Sequence, residues 1–362
     1  MKGRVLIASA GTGGHVYPAL ALADFLKKEG IDVFFVTSDR GESKIIVEKG
    51  YNCKELSYRG LHRRFCFENV KRVLKIGLAV FHCIKLIKYF MPDLIVGMGG
   101  YGEVPPILAG KLLGIRTLIH EQDVKPGLST RILAPLVDRI SISYEETMQF
   151  LRKDLIKKCV VTGNPVREEI LKITLGATKK KWGLEGRKVL FAFGGSLGAK
   201  RVNDAIVGFL KDGGFEGSLE DWGIILVTGK ENFDEVNEAL RFVKSSLLMY
   251  VRVLPYIDNI WDAYGAADLV LSRAGASTVA ELRVLGLPAI LVPYPHSTGN
   301  HQFFNARLLE REGQAVLIKD EELTSSKLYE LLKREYRIRR ANRENSAQLL
   351  GKVVLNLVWK KR

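Results

Sequence analysis

A histidine directly follows a glycine-rich stretch near the start of the chain, 10-AGTGG-14 and then His15. An apolar run precedes this stretch and a helical pattern follows it, so the glycines form a turn between a strand and a helix. Backbone N–H groups at such a turn bind phosphates and other anions. His15 lies where doubly wound folds place their active sites, and an ordinary histidine pKa of about 6.5 suits a general base. The stretch therefore predicts a phosphate site with a candidate base beside it.

Two other interpretations of this turn stay open. A dinucleotide-binding fingerprint, G-x-G-x-x-G, needs a third glycine where the chain has Val16, although Asp39 after the next apolar run could bind a ribose. A turn that binds nothing would also use glycine, because glycine adopts backbone angles that other residues avoid. The turn alone does not decide among a nicotinamide cofactor, a phosphorylated substrate and no ligand.

A second glycine turn, 194-GGSLG-198, has the same strand-turn-helix setting in the second half of the chain. Ser196 is its candidate hydroxyl donor to a diphosphate. The stretch also matches G-x-S-x-G, the nucleophile elbow of α/β hydrolases, and His296 and His301 lie downstream as a hydrolase triad requires. A hydrolase does not need the first glycine turn, whereas a diphosphate substrate explains both turns.

Candidate polar contacts for a sugar nucleotide follow in the second half. Within 275-GASTVAEL-282, Glu281 either forms a capping box with Thr278 or accepts hydrogen bonds from ribose hydroxyls. Gln302, in a polar loop, could contact sugar hydroxyls. The chain has no D-x-D motif to place a divalent metal on a diphosphate, so we expect no metal site. Helix N-termini and basic side chains such as Arg167 would then neutralise the leaving group.

These residues need a scaffold of strands and helices to position them. Short apolar runs alternate with amphipathic helical patterns, which predicts the α/β class with parallel sheets covered on both faces. The series restarts after residue 180, so we expect two doubly wound domains, with the boundary near residues 163–169, where a strand gives way to a Gly-Asn-Pro turn. Residues 337–362 predict one long basic helix, either exposed to solvent or bridging both domains. The predicted strands are residues 4–10, 32–39, 93–99, 116–122, 139–144, 188–195, 223–229, 249–256, 269–275 and 288–295.

The composition is that of a globular protein with an anionic partner. The chain has 362 residues, enough for two domains, and a formal net charge of +15. Its four cysteines show neither metal-ligand spacing nor a disulfide pattern, which favours a reducing cytoplasm. No apolar run reaches the roughly 18 residues of a membrane-spanning helix, and none is typical of a signal peptide.

Residues 69–90 predict a basic amphipathic helix. Such a face is typical of a solvated surface helix, but exposed apolar residues within a lysine stripe also indicate contact with an anionic membrane surface. Nucleic acid would be attracted by the same charge, but its binding motifs are missing from the sequence, so we expect no nucleic-acid partner. The face carries Lys71, Lys75, Leu78, His82, Lys85 and Tyr89.

Seven motifs occur in the order typical of one family, between about residue 4 and about residue 310: GTGGHVYPAL, MGGYGEVPP, HEQD, GNPVR, GGSLGA, RAGASTVAE and HQFFNA. Together they closely resemble the MurG family of bacterial glycosyltransferases. The resemblance implies the GT-B fold, two Rossmann-like doubly wound domains facing across a cleft. It implies an N-terminal domain of residues 1–166 joined by the C-terminal helix 346–362, and a donor-binding domain of residues 167–345.

The resemblance also implies an activity. The family moves GlcNAc from UDP-GlcNAc to the MurNAc 4-hydroxyl of lipid I, with inversion and without a metal or other cofactor, in peptidoglycan synthesis. The implied partners are UDP-GlcNAc, lipid I, the anionic cytoplasmic face of the bacterial inner membrane, and other cell-wall synthesis proteins. A second UDP-GlcNAc enzyme of the same fold, such as a 2-epimerase, remains an alternative, as do a nicotinamide oxidoreductase and a basic binding protein that is not an enzyme.

Residue roles transfer through the motifs. His15 is the first candidate for the general base and Glu121 the second. Arg167 would contact the donor at the domain junction. Glu281 would bind the ribose, Ile257 would approach the uracil, and Gln302 would bind the sugar hydroxyls. The further implied substrate contacts are Thr12, Gly13, Gly14, Ser196, Ala276, Ser277, Thr278, Val279 and Ala280.

Two positions depart from the family pattern. Ala10 replaces the first glycine of the usual Gly-Gly-Thr-Gly-Gly, which an extended backbone tolerates. Asp123 replaces the usual asparagine of His-Glu-Gln-Asn, which removes a donor and adds a negative charge near the diphosphate sugar. The resemblance implies a substrate contact for Asp123, and this substitution changes the chemistry of that contact.

Overall fold

The computed structural model of the chain describes residues 3–9, 13–38, 42–56, 67–195, 198–214, 220–339 and 344–359, and for residues 67–74 the backbone alone. The chain divides into two compact units. Unit 1 comprises Met1–Arg167 with Asn345–Arg362, and unit 2 comprises Glu168–Glu344.

Unit 1 contains a seven-stranded parallel sheet with the order β3-β2-β1-β4-β5-β6-β7. The strands are β1 (Arg4–Ala8), β2 (Asp32–Ser38), β3 (Asn52–Leu56), β4 (Leu94–Gly97), β5 (Arg116–Glu121), β6 (Arg139–Ile142) and β7 (Cys159–Val161). The helices are α1 (Gly13–Lys28), α2 (Glu42–Glu48), α3 (Phe67–Phe90), α4 (Val104–Leu112), α5 (Leu128–Leu133) and α6 (Lys153–Ile156). Short 3-10 helices cover Tyr101–Glu103 and Glu145–Phe150.

Unit 2 repeats the architecture with six parallel strands in the order β10-β9-β8-β11-β12-β13. The strands are β8 (Lys188–Phe193), β9 (Trp222–Val227), β10 (Val251–Leu254), β11 (Leu269–Ser272), β12 (Ala289–Leu291) and β13 (Ala315–Leu317). The helices are α7 (Glu168–Leu171), α8 (Lys179–Trp182), α9 (Lys200–Lys211), α10 (Phe233–Leu240), α11 (Ser245–Leu248), α12 (Ile260–Ala266), α13 (Ala276–Leu285), α14 (His301–Arg311) and α15 (Ser325–Leu332). The predicted α/β class with two doubly wound sheets is confirmed.

Both sheets are buried on both faces, which explains the continuous apolar runs of their central strands. In β1, Val5, Leu6 and Ile7 are fully buried; Leu6 packs in a cluster on one side of the sheet, and Val5 and Ile7 in a cluster on the other. Helices cover each face, as parallel sheets require.

The strand order reverses once in each sheet, and this reversal positions the glycine turns. In unit 1 the chain leaves β1 between β2 and β4, and in unit 2 it leaves β8 between β9 and β11. Ligands of doubly wound sheets bind outside the carboxyl ends of the strands at this switch point. The described glycines of each turn follow the first strand of its sheet and so lie at its switch point: Gly13 and Gly14 after β1, and Gly194, Gly195 and Gly198 after β8.

All ten predicted strands are present, but β3, β7 and β13 are not among the ten. All three are edge strands. Asn52, Lys54 and Glu55 of β3 are exposed, and β13 is only partly buried. Because an edge strand is covered less completely, it does not need the continuous apolar run on which the prediction relied.

The C-terminal helix, α16 (Ser346–Trp359), is shorter than the predicted one. Residues 337–339 and 344–345 are not helical, so the prediction of a single helix from residue 337 is wrong. Asn345 starts the helix, because its Oδ1 accepts the backbone N–H of Gln348 at 3.1 Å, as an N-cap residue does.

The helix α16 is part of the core of unit 1 and is not a solvated tail. Leu350 and Val354 are fully buried, and Gly351 lies so close to the Phe25 ring of α1 that a side chain there would clash. The Arg116 guanidinium of β5 donates to the Leu357 carbonyl at 2.6 Å. The chain therefore completes unit 1 with its last helix.

Candidate functional site

The predicted base, His15, lies in the first turn of α1 and contacts the glycine turn that follows β4. Gly99 and Gly100 form this turn with positive φ angles of 90° and 77°. A Cβ atom built on Gly99 would lie 2.8 Å from His15 Nδ1 and 2.9 Å from Cε1. The backbone of Gly99 therefore packs directly against the imidazole at the switch point of unit 1. Gly13 and Gly14 precede His15 in the same helical turn, and Thr12 lies outside the described residues.

A buried carboxyl group, that of Glu103, holds the backbone of this glycine turn. Its Oε2 accepts the backbone N–H of Gly99 at 2.8 Å, and a Cβ on Gly97 would lie 2.5 Å from the same oxygen. Burial raises the pKa of Glu103 to about 8, against hydrogen bonds from the Gly99 backbone and the Ser129 side chain that lower it. Sequence reasoning missed Glu103, because nothing in the motif shows that its side chain turns inward.

The second candidate base, Glu121, holds the loop after β5. Its Oε1 accepts the backbone N–H of Asp123 at 3.0 Å, and its Oε2 accepts that of Gly127 at 2.9 Å, directly before α5. The side chain is only 5% exposed, and burial together with repulsion from Asp123 raises the pKa of the carboxyl group. Both oxygens thus fix the backbone of the loop, and Asp123 lies beside them.

A further histidine, His120, was missed by sequence reasoning although it precedes Glu121 in the HEQD motif. Its Nδ1 lies 2.9 Å from Ser141 Oγ, and its Nε2 lies 3.4 Å from Asn164 Oδ1 of the GNPVR motif. Burial lowers the pKa of His120 to about 4, and the charge of nearby His15 acts in the same direction. His120 is therefore neutral at pH 7 and links β5, β6 and the loop after β7.

The predicted donor contact Arg167 lies against α1. Its guanidinium carbon lies 4.4 Å from the centroid of the Tyr17 ring, a cation–π contact. Tyr17 is two residues after His15 on the same helix. The fold therefore brings the GGHVYP and GNPVR motifs together within unit 1.

In unit 2, Glu281 lies in α13 at the second switch point. The capping-box interpretation is wrong, because the helix begins at Ala276 after Gly275, whose backbone is extended and which supplies no side-chain cap. Thr278 therefore lies inside the first turn. Glu281 is 6% exposed, and its Oε2 accepts a hydrogen bond from the Tyr264 hydroxyl at 2.9 Å. The predicted nucleotide contacts Ala276, Ser277, Thr278, Val279 and Ala280 share the beginning of this helix.

Two glycines of the second turn lie too close to their neighbours to carry side chains. A Cβ on Gly194 would clash with the backbone N of Ala199, and one on Gly198 would clash with the carbonyl of Thr228. Ser196, the predicted diphosphate contact, lies outside the described residues.

The remaining predicted donor contacts lie in separate segments of unit 2. Ile257 is half-buried in the loop between β10 and α12. Gln302 is the second residue of α14, and its Oε1 accepts the backbone N–H of Tyr294 at 2.9 Å. Within the described ranges, no cluster of three or more histidine, cysteine or acidic side chains could hold a metal ion.

The basic face of α3 is exposed over its described part. Ala79, Cys83 and Ile87 are buried against the sheet. The side chains of Leu78 and Tyr89 are 61% and 83% exposed. Phe81, which the sequence prediction did not include, is also exposed, at 53%. The predicted residues Lys75, Leu78, His82, Lys85 and Tyr89 are all exposed, and the Lys71 side chain lies outside the described part. Over the described residues, no helix is long and apolar enough to cross a membrane.

Comparison with known proteins places this geometry in a family. The glycosyltransferase family 28 N-terminal domain matches residues 5–142, and the family 28 C-terminal domain matches residues 189–356. A relative from Halothermothrix orenii is 39% identical over 333 residues, which are 91% of this chain and 89% of the relative. It is named UDP-N-acetylglucosamine--N-acetylmuramyl-(pentapeptide) pyrophosphoryl-undecaprenol N-acetylglucosamine transferase.

Solved structures agree on the fold. The crystal structure of Acinetobacter baumannii MurG matches with a TM-score of 0.69 and 28% identity, over 99% of this chain and 96% of that one. A UDP-GlcNAc 2-epimerase from Methanocaldococcus jannaschii matches with a TM-score of 0.66 but only 14% identity, over 98% of this chain and 100% of that one, so it shares the fold alone. Two family 28 domains in order, the GT-B fold and 39% identity over most of the chain together lead to one assignment: this chain belongs to the MurG family of glycosyltransferases.

Proposed function

We propose that this chain transfers GlcNAc from UDP-GlcNAc to the 4-hydroxyl of MurNAc in lipid I, undecaprenyl-diphosphate-MurNAc-pentapeptide, to give lipid II. The observation that carries the proposal is the 39% identity, over 91% of the chain, to a relative whose name states this sugar and this lipid-linked acceptor. The fold supports a sugar-nucleotide enzyme but does not by itself separate a transferase from a 2-epimerase, since both kinds of structure match it.

The reaction is a single displacement at the anomeric carbon. His15 removes the proton of the acceptor hydroxyl, the oxygen forms the new glycosidic bond, and UDP leaves with the electron pair of the old one. One displacement inverts the α configuration of the donor to β. A neutral imidazole suits the base, and the Gly99 backbone against its ring limits the positions it can take.

Leaving-group charge is neutralised without a metal ion in this proposal. Backbone N–H groups at the start of α13 and of the helix after the second glycine turn point toward an anion, and the dipole of each helix adds to them. Arg167, held over Tyr17, supplies a positive charge. Such preorganised groups stabilise charge as it develops in the transition state.

Unit 2 binds the donor and unit 1 the acceptor in this proposal. Glu281 accepts hydrogen bonds from the ribose hydroxyls, with its carboxylate oriented by the Tyr264 hydroxyl. Gln302 contacts the sugar and Ile257 the uracil. Glu121 acts by shaping the loop after β5, because both of its oxygens already accept backbone N–H groups.

The exposed face of α3 docks the enzyme on the anionic cytoplasmic surface of the membrane that holds its acceptor. Lys75 and Lys85 would contact lipid phosphates, while Leu78, Phe81 and Tyr89 enter the interface. A Lys75→Glu/Lys85→Glu double variant should bind phosphatidylglycerol vesicles at least about 30-fold more weakly in sedimentation. Each lysine near such a surface contributes about 1 kcal/mol, and the two glutamates add repulsion.

The matched control for this surface is Lys44→Glu/Lys49→Glu. It changes the net charge equally, but both lysines are exposed on or directly after α2, which packs on the other face of the sheet. Equal losses of vesicle binding in the two variants would show that only the net charge matters, and would refute a docking face on α3.

The transfer itself is tested with radiolabelled UDP-GlcNAc and a lipid I analogue in the presence of EDTA. We expect label in the lipid fraction. A folded protein that binds UDP-GlcNAc but transfers no label would overturn the proposal. Conversion of UDP-GlcNAc to its 2-epimer without acceptor would establish the alternative activity. Transfer that disappears only with EDTA would refute the metal-independent mechanism.

A further inference from the structure

The most deeply buried acid beside the candidate base has no role in the reaction just described. Glu103 is fully buried at the end of the 3-10 helix that follows the Gly99–Gly100 turn. Its Oε2 holds the Gly99 N–H, and Gly99 in turn packs on the His15 ring. Glu103 and His15 are thus connected through a single backbone unit.

The surroundings of this carboxyl group oppose a negative charge. The group that faces it from β5 is Glu121, a second buried acid, whose charge repels an ionised Glu103. The group from α5 is the uncharged Ser129 hydroxyl. The other carboxyl oxygen, Oε1, is buried and accepts no hydrogen bond from the residues that the structure describes.

The close fit at Gly97 restricts how the carboxyl group can respond. Oε2 lies 2.5 Å from the position of a Gly97 Cβ, and the carboxyl carbon lies 3.2 Å from it. Because Gly97 has no side chain, the carboxyl group can lie directly against the end of β4. The side chain is fully buried next to Gly97 of β4, Glu121 of β5 and Ser129 of α5.

We propose that Glu103 is a positioning residue for His15, which fixes the Gly99–Gly100 turn against the imidazole as an uncharged carboxylic acid. Ionisation of Glu103 would place a second negative charge next to Glu121 and close to His15. That charge favours the imidazolium form of His15, which cannot accept a proton. The carboxyl oxygen that accepts the Gly99 N–H keeps the turn in place, and the uncharged state of the acid keeps the imidazole available as a base. The link to catalysis rests on the proposed function, but the link to His15 does not.

The link between Glu103 and His15 is tested by NMR on the protein without substrate. The imidazole Cε1–H resonance of His15, assigned with a His15→Gln variant, is followed from pH 5 to pH 9. In the natural protein we expect the main titration of His15 and a second inflection near pH 8, where burial places the pKa of Glu103. Glu103→Gln, which keeps an acceptor oxygen for Gly99 but cannot ionise, should lose the second inflection. Identical titration curves for the two proteins would overturn the proposal.

A second variant separates positioning from general structure. Glu103→Leu removes the acceptor for the Gly99 N–H, so we expect a changed His15 resonance at every pH and a turnover number lowered about 10- to 100-fold at an unchanged KM for UDP-GlcNAc. Glu103→Gln should recover most of this loss. If the leucine variant does not fold, the NMR comparison of the natural protein with Glu103→Gln still tests the link between Glu103 and His15. Label transfer without the second His15 inflection near pH 8 would refute the role of Glu103 alone. The second inflection without label transfer would refute the proposed activity alone.

Discussion

Replacement of Gly99 by alanine should separate the position of the His15 ring from the stability of the fold. The new Cβ would lie 2.8 Å from Nδ1 and 2.9 Å from Cε1 of His15, closer than carbon atoms approach such neighbours. The neighbour is a ring at the first turn of a helix, so it must move by several tenths of an ångström. The φ angle of 90° adds strain for any residue with a Cβ.

The magnitudes of the two effects differ, and a matched control isolates them. Gly30→Ala has the same kind of backbone, with φ of 77°, but its Cβ would meet nothing within 4 Å. The unfolding free energy of Gly30→Ala should fall only by the cost of a left-handed backbone, about 1–2 kcal/mol. The unfolding free energy of Gly99→Ala should fall by the same cost and by about a further 1–3 kcal/mol from overpacking. A base displaced by up to about 1 Å lowers the rate by as much as about 100-fold.

The assay combines urea unfolding with initial rates of GlcNAc transfer at saturating UDP-GlcNAc. We expect the turnover number of Gly99→Ala to fall about 10- to 100-fold, with the KM for UDP-GlcNAc little changed, and that of Gly30→Ala to stay near the natural value. Equal turnover in the two variants would mean either that this turn does not hold the imidazole or that His15 is not the base.

Four further outcomes are expected. His15→Ala should lower turnover about 10²- to 10⁴-fold, and an unchanged rate would move the base elsewhere. Glu281→Gln should weaken UDP-GlcNAc binding about 10-fold or more in calorimetry, since hydrogen bonds to a charged group contribute about 1.5–3 kcal/mol, and equal affinity would remove it from the donor site. Gly351→Val should lower the unfolding free energy by about 1–3 kcal/mol through its clash with Phe25, with donor affinity kept. In the natural protein, the raised pKa of Glu103 contributes stability that is complete below about pH 4.5 and lost as pH rises toward about 8. Glu103→Gln should therefore be more stable by about 3 kcal/mol at pH 7, and parallel pH–stability curves would contradict this.

The central scaffold could be predicted because its strands carry their information locally. Strands covered on both faces read as continuous apolar runs, so all the central strands were found, and the restart of the series gave two sheets. The edge strand β3 was missed because three of its five residues are polar and exposed. The end of the chain was misjudged for a different reason: basic residues from 337 onward suit a helix, but Asn345 starts a new one.

The candidate site could be predicted only where residue type and chain position were sufficient. His15 follows from its place after a glycine turn. The contact between His15 and Gly99 could not be predicted, because the two residues are far apart in sequence and meet only when β1 and β4 pair. Glu103 was not predicted as a site residue, because its burial depends on the packing of α5 and β5 around it. Thr278 matched a capping box, but the helix begins earlier, at Ala276 directly after the extended Gly275.

The linkage in the product tests the central claim most directly. The lipid-linked disaccharide formed from UDP-GlcNAc and a lipid I analogue is isolated, and its new bond is determined by NMR. A single displacement onto the MurNAc 4-hydroxyl predicts a β1→4 linkage, seen as a large coupling between H1 and H2 of the transferred GlcNAc and a correlation to C4 of MurNAc. An α linkage, attachment at another hydroxyl, or release of free GlcNAc in place of the disaccharide would contradict the account.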